Sequence, residues 1–328
     1  MFEISEMAHQ TNMVELASKT VYNVALNSEE KEIVAELDKF AREVGETGQD
    51  SDRVIAQFIQ KTIEDRVEDY TNMILDAGFE RGSIGEFDDV EYVGEPMNTL
   101  KAVKCAKEGN VPKSYLDPNV VKPHWVHRQV ESQLSYLDLR RNGWKSIARI
   151  TEYADRALQN AMFADIFGAL DSVIISGNPN YIAGGASIAD ADIRALISYL
   201  HDEANGETPI VVSRTNYISD ISYLNPGMLT DTSKEEIRRT GFAGMYDGAE
   251  LYRVSGTKTL GNGDPLFPAK RVFGLAGKVG NIDMRGDVRV YEDFDNQNEA
   301  VNLKITGFEY GYAFNDAVAS KAAKIVLQ

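Results

Sequence analysis

Apolar residues recur at helical spacing in two stretches near the amino end of the chain. Asn27-Ser28-Glu29-Glu30 combines a capping residue with an acid three positions on, and Ile33, Val34, Leu37, Phe40 and Val44 then fall on one face. Gly45 predicts the end of that helix. Beyond a polar stretch from Gly45 to Asp52, Val54, Ile55, Phe58, Ile59, Ile63, Val67, Tyr70 and Ile74 make a second, longer stripe that stops at Gly78. No globular fold lies next to either stripe in sequence, so both helices are expected to dock elsewhere in the chain or on other subunits.

From Gly82 to Pro123 glycine, proline and charge recur around two strand-like runs, Val90–Val93 and Leu100–Ala106. A two-stranded ribbon of this kind is marginal alone in water, so the extension needs a surface to lie on. A strand over Val126–Leu134 and a helix from about Trp144 to Leu170 follow. The helix is striped through Ile147, Ile150, Ala154, Ala157, Leu158 and Ala161, then apolar nearly all round from Met162 to Phe167. It is expected to run from surface to core over roughly 40 Å at 1.5 Å per residue.

Residues 173–281 read as an α/β lobe. A helix over Asp190–Ala204 is stopped by Gly206, a strand covers Pro209–Ser213, helical turns fall near Asn216–Leu224 and Glu235–Arg239, and Asp247-Gly248 turns into a strand Ala249–Val254. The remainder is strand: Val288–Tyr291, a loop Glu292–Glu299, then Val301–Phe314. In the long strand the apolar set sits on odd positions up to Ile305 and on even positions from Phe308, which predicts a β-bulge at Gly307.

At 328 residues the chain can bury a core shared between two or more lobes. Its 43% hydrophobic and 26% charged residues exclude wholesale disorder and collagen-like or coiled-coil repetition. No apolar run approaches the roughly 18 residues that span a bilayer, and Met1-Phe2-Glu3-Ile4-Ser5-Glu6 lacks a signal-peptide pattern, so a cytoplasmic protein with no membrane partner is expected. The single cysteine, Cys105, excludes an intrachain disulfide and reads as a half-buried, inert thiol. A net charge of −17 argues against sequence-independent duplex binding. That charge is segregated: residues 1–97 carry 23 acidic and 8 basic residues, whereas residues 98–149 carry 4 and 10. Either each block is an ordinary solvated face, or the two attract where they meet.

The usual signatures of chemistry fail on inspection. Gly274-Leu275-Ala276-Gly277-Lys278-Val279-Gly280 superficially matches a phosphate loop, but Val279 replaces the required hydroxyl residue and the first glycine is missing, so it reads as a strand turn. Asp293-Phe294-Asp295-Asn296-Gln297-Asn298-Glu299 has calcium-loop acids without the glycine, and reads as a solvated loop tip. His9, His124, His127 and His201 have neither a cysteine pair nor a His-Glu-x-x-His helix beside them. Lys122, His124, Trp125, His127 and Arg128 make a basic patch with an aromatic, read as a strand edge under the hairpin. There is no nucleophile elbow and no dinucleotide fingerprint. No catalytic residue, cofactor-binding residue or metal ligand is assigned, and no cofactor is expected.

The order of elements carries more information: acidic helical segment, projecting basic hairpin, strand, long helix, α/β lobe, terminal sheet. With Gly241-Phe242-Ala243-Gly244-Met245-Tyr246-Asp247-Gly248-Ala249-Glu250-Leu251-Tyr252, Phe273-Gly274-Leu275 leading toward Val288-Arg289-Val290-Tyr291, and Val301–Phe314 followed by Asn315-Asp316-Ala317-Val318, the chain resembles the major capsid proteins of tailed bacteriophages. The resemblance covers most of residues 80–328 and implies an α+β, Hong Kong 97-type fold. It implies an amino-terminal arm (1–80), an extended loop over a neighbouring subunit (81–123), a peripheral domain (124–172 and 282–315) with a spine helix (144–170), and an axial domain (173–281 and 316–328). Contacts between subunits are then expected at Lys101, Lys104 and Lys107 on the loop, at Trp125, and at Asp293, Asp295 and Glu299 on the peripheral tip.

The function so implied is a non-enzymatic structural protein that self-assembles as hexamers and pentamers into an icosahedral shell around double-stranded DNA. Implied partners are other copies of itself, a portal, and scaffolding or decoration proteins, with assembly in the host cytoplasm and residence in the virion. Two other readings stay open from the sequence: an encapsulin-like shell holding a protein cargo, and a cytoplasmic α/β enzyme with its site in residues 173–281.

Overall fold

The computed structural model describes residues 13–47, 52–69, 73–93, 104, 120–204, 206–219, 242–314 and 321–328. The helices are α1 (Met13–Tyr22), α2 (Ser28–Thr47), α3 (Asp52–Asp69), α4 (Met73–Gly78), α5 (Tyr136–Asn142), α6 (Trp144–Val173), α7 (Asp190–Glu203) and α8 (Thr215–Ser219). The strands are β1 (Glu80–Ile84), β2 (Tyr92–Val93), β3 (Val120–Val121), β4 (His124–Ser135), β5 (Tyr181–Ala183), β6 (Ile210–Arg214), β7 (Phe242–Tyr246), β8 (Ala249–Val254), β9 (Arg271–Leu275), β10 (Gly280–Arg285), β11 (Arg289–Asp295), β12 (Ala300–Phe314) and β13 (Ala322–Val326). They form two units, each drawn from three separate stretches: residues 1–71, 126–162 and 285–309, and residues 72–125, 163–284 and 310–328. The division falls inside α6, between Met162 and Phe163.

In the first unit the capping pattern at the start of α2 is realised: the Glu30 amide donates to Asn27 Oδ1 (2.7 Å) and the Asn27 amide to Glu30 Oε2 (2.8 Å). The expected stop at Gly45 is not there, because α2 continues to Thr47. Gly45 instead admits a neighbour. A Cβ at this position would lie 3.0 Å from both the backbone nitrogen and Cγ of Arg140, and the Arg140 Nε donates to the Gly45 carbonyl at 2.7 Å, so α2 and α5 touch nearly backbone to backbone. The stripes of α2 and α3 find cover within this unit, α2 packing on α5, α1 on α3 and α3 on β11, but α3 ends at Asp69, and Ile74 and Gly78 of the expected second helix lie on α4 in the second unit. Ile55, Ile59 and Ile63 are fully buried.

The long helix α6 begins where the sequence placed it and ends three residues later than expected, at Val173. Its entry is made by Gly143 at φ +54°, where any side chain would collide with the Asp38 carboxylate. Asp38 Oδ1 accepts the Trp144 amide at 3.1 Å and so caps the helix from a residue far earlier in the chain. Trp144 is buried edge-on against Phe58 at 5.3 Å. Further along, buried Glu152 pairs with Arg156 (2.8 Å), and buried Asp155 accepts from Gln159 (2.8 Å).

In the second unit a six-stranded sheet runs in the order β5-β13-β9-β6-β8-β7. Ile193, Leu196, Ile197 and Leu200 of α7 cover it through Val211, Leu251, Val272 and Ile325. The Asp247-Gly248 turn has both residues at positive φ (+49° and +84°), which matches the twist of the hairpin β7–β8. Sequence reasoning missed β13, which lies between β5 and β9. Its central residue, Lys324, is nearly buried, but its Nζ donates to the Asp171 carbonyl (2.6 Å) and Oδ1 (2.7 Å), where Arg271 Nε also arrives at 3.0 Å. The helical turns expected over residues 220–224 and at Glu235–Arg239 lie outside the described residues.

β12 passes through both units. Its first half pairs antiparallel with β11 from Asp295↔Ala300 to Arg289↔Thr306. Val301, Leu303 and Ile305 are buried, then Phe308 and Tyr310, so the inward face changes at Gly307 as the pattern requires. Gly307 sits at φ +82°, and a Cβ there would lie 2.3 Å from the Asp287 carbonyl oxygen. Gly307→Val is expected to destabilise the first unit by about 1–3 kcal/mol, with Gly307→Ala also destabilising. Urea unfolding followed by tryptophan fluorescence checks this, and a variant as stable as the wild type would refute it.

Candidate functional site

Among the described residues no three His, Cys, Asp or Glu side chains are placed to hold a metal ion, and no helix is long and apolar enough to cross a membrane. Two exposed segments among the described residues are candidates for contact with other molecules. The first belongs to the second unit. β1 ends at Ile84, the turn Gly85–Asp88 is closed by the Asp88 amide donating to the Gly85 carbonyl (3.1 Å), and β2 then pairs antiparallel with β3 through Tyr92↔Val121 and Val93↔Val120. Beside this two-rung ladder Lys122 Nζ meets Glu91 at 3.1 Å. That ion pair is solvent-exposed and contributes at most about 1 kcal/mol.

The second segment is the β11–β12 hairpin of the first unit. The first half of the expected loop over Glu292–Glu299 is strand, since β11 runs to Asp295 and residues 296–299 turn. Phe294 explains the extension, because its ring packs on Tyr136 (6.1 Å) and gives the strand one more inward contact. Asp295 organises the turn: Oδ1 accepts the Gln297 and Asn298 amides (2.9 and 3.3 Å), and Oδ2 accepts from Asn298 Nδ2 (2.7 Å) and Gln133 Nε2 (3.0 Å). The Asn298 side chain, then the Gln297 amide, hold its carboxyl below the usual range. Glu299, at φ +47°, accepts the Tyr136 amide on its carbonyl at 3.1 Å.

Two buried carboxylates, one in each unit, have pKa values raised by burial. Asp52, at the start of α3, accepts the Tyr136 hydroxyl on both oxygens at 2.7 Å. Burial raises its pKa, the hydrogen bond from Tyr136 opposes that, and the charge of Glu292 adds to it. The same burial, with the Asp52 carboxylate, pushes the Tyr136 phenol well above its ordinary value. Asp283, on β10 beside Gly82 of β1, is 7% exposed, and its Oδ2 has no hydrogen-bond partner among the described residues. Burial raises its pKa too.

Residues 3–315 match the model of a family described as "SPbeta prophage-derived putative capsid protein YonB". The chain belongs to this family. No curated protein is a significant match to the chain. Solved structures share the fold at low identity. One from Mycobacterium phage Bobi is 13% identical, with a TM-score of 0.52 over 79% of this chain and 91% of that one. One from Gordonia phage Cozz is 14% identical, with a TM-score of 0.51 over 76% and 84%. A chain of the satellite phage P4 procapsid, whose structure includes the size determination protein, is 13% identical, with a TM-score of 0.50 over 83% and 90%. At such identities these structures speak for the fold alone. The YonB-family chain is a phage capsid protein with the α+β, Hong Kong 97-type fold.

In this YonB-family chain the residues expected at subunit contacts are scattered. Asp293, Asp295 and Glu299 share the hairpin end, with Asp293 exposed opposite Asn302. Trp125 belongs to the second unit, where its ring lies on Gly311 so closely that a Cβ there would come within 2.8 Å. Lys104 is exposed, while Lys101, Cys105 and Lys107 lie outside the described residues. The patch at His124 and His127 resolves into strand contacts, His124 against the Tyr312 ring (5.3 Å) and His127 Nε2 beside Thr306 Oγ1 (3.2 Å). Sequence reasoning passed over Phe87, which is 90% exposed in the turn before β2. The signal was an aromatic residue set directly between Glu86 and Asp88, with Asp89 and Glu91 close by.

Asp283 has a pKa raised by folding, so its charged form costs stability at neutral pH, and the cost disappears as pH falls through the folded-state value toward about 4. Asp283→Asn is expected to stabilise the protein by about 1 kcal/mol at pH 7 and by progressively less toward pH 4. Denaturant midpoints measured across that range test it, and a gain independent of pH would contradict the assignment.

Proposed function

We propose that this YonB-family chain is the major capsid protein of a tailed phage, closing by self-association in hexamers and pentamers into an icosahedral head shell around double-stranded DNA. The observation that carries the reading is the family match over residues 3–315, which runs through both units. Identical chains can close a shell only by reusing the same surfaces, and the two exposed segments supply surfaces of that kind. Residues 81–123 then serve as the extended loop over a neighbouring subunit, the Glu292–Glu299 hairpin end meets its mates in the peripheral region, and residues 173–281 with 316–328 supply the axial contacts. A net charge of −17 suits a container that does not grip the DNA it holds. The remaining partners in this reading are a portal and scaffolding or decoration proteins, met in the host cytoplasm.

Negative-stain microscopy of the purified recombinant chain is expected to show closed angular or round shells, and discrete small oligomers alone would refute the reading. Nucleic acid rather than protein cargo inside native particles distinguishes a phage head from a cellular compartment. If the acidic and basic blocks attract across subunits, Lys101→Gln, Lys104→Gln and Lys107→Gln together slow assembly, and moderate salt slows the wild type more than the triple variant, because the field of many exposed charges is screened within about 10 Å at 0.1 M. Equal salt sensitivity in light-scattering assembly curves would exclude those lysines as the carriers.

A further inference from the structure

The edge of a sheet presents a row of unpaired backbone groups, and folded proteins protect such rows by keeping edge strands short or by placing lysine or proline on them. β4 has neither protection. It is 12 residues long, contains no lysine or proline, and among the described residues pairs on one side only, with β12. From Val126 to Leu134 exposed and covered residues alternate without a break. The Tyr136 amide donates to the Glu299 carbonyl and so points toward β12. Successive residues of an extended strand turn their N–H and C=O groups to opposite edges, so those of His127, Gln129, Glu131 and Gln133 face the open side. The side chains of the same four residues are exposed. The other edges are closed or short. β5, β1 and β7 have three, five and five residues. β11, with seven, has α3 packed on it and gives its Val290 amide to Gln60 Oε1 at 3.4 Å.

Resting on the capsid reading, we propose that the open edge of β4 pairs antiparallel with the same edge of a second copy of this chain, about a twofold axis at Val130. Among the described edges only β4 itself matches β4 in length, and a closed shell contains twofold axes at which one edge meets its own copy. The register follows from the side chains. With Val130 opposite its counterpart, the whole run from Val126 to Leu134 overlaps, His127 faces Gln133, and Gln129 faces Glu131, so all four outward residues bond and no like charges oppose. Centring the axis on Glu131 would set that carboxylate against its own copy. Centring it on Gln129 would put Gln133 opposite Trp125, outside the alternating run. On the other face Arg128, already engaged within its own chain, lies opposite Ser132, and the two half-buried Val130 side chains meet.

The test uses the full chain carrying Cys105→Ser, so that an introduced thiol is the only one. In the stated register Val130 and its counterpart are a non-hydrogen-bonded antiparallel pair, with Cα atoms about 4.5 Å apart and within reach of a disulfide. Val130→Cys is expected to give covalent dimers when assembled particles are mildly oxidised and run on a non-reducing gel. Ser132→Cys alone is expected to give none, because it faces Arg128. Glu131→Pro removes an outward N–H and no bond to β12, so it is expected to raise the concentration needed for assembly about tenfold or more, by light scattering and sedimentation, while leaving the unfolding midpoint of the unassembled chain unchanged. Shells in which Val130→Cys gives no dimer, or in which Ser132→Cys cross-links as readily, overturn the pairing, as does assembly of Glu131→Pro at the wild-type concentration. A wild-type chain that forms no shells overturns the capsid reading itself, and the pairing falls with it.

Discussion

The first turn of a 30-residue helix needs acceptors for its free N–H groups, and α6 obtains one from Asp38. This long-range cap is the contact around which the first unit is arranged. It needs Gly143 at positive φ to bring the carboxylate in, and it fixes α2 across the entry of α6. Gly45 then lets α2 lie directly on α5, and Tyr136, at the start of α5, reaches Asp52 at the start of α3. The starts of α5 and α3 are thus tied to each other, and the start of α6 to the middle of α2, by side-chain oxygens. The described residues up to Asp69 are built into the unit that holds the first half of α6 and the β11–β12 hairpin.

Local signals were legible and long-range ones were not. The capping box at Asn27–Glu30, the stripes of α2, α3 and α6, the Asp247-Gly248 turn and the change of face at Gly307 all depend on residues within a few positions of one another, and the pattern exposed each. Gly45 looked like a stop because its role depends on Arg140, ninety-five residues away. Strand β13 was missed because Lys324 is a poor central-strand residue until Asp171 neutralises it, and nothing in the local sequence announces that pairing. The hairpin end was drawn as a loop because its acids read as solvated, whereas Asp295 spends both oxygens on the turn itself.

The candidate contact surfaces divide the same way. Family resemblance drew attention to the loop and the hairpin as wholes, since their glycines, prolines and charges are visible in order. It did not single out Phe87, because an isolated phenylalanine in a sequence gives no hint of whether it will be covered. Only the burial of the surrounding fold shows that this one is left in water.

The position of β13 bears on the order in which the second unit can fold. A strand from the carboxyl-terminal stretch occupies an interior place in the six-stranded sheet, parallel to β5 and antiparallel to β9. Until those residues leave the ribosome, β5 and β9 have no common neighbour, and Asp171 and Arg271 lack the lysine that completes their cluster. Nascent chains therefore carry an open sheet until β13 has been made, so this unit cannot close strand by strand in chain order.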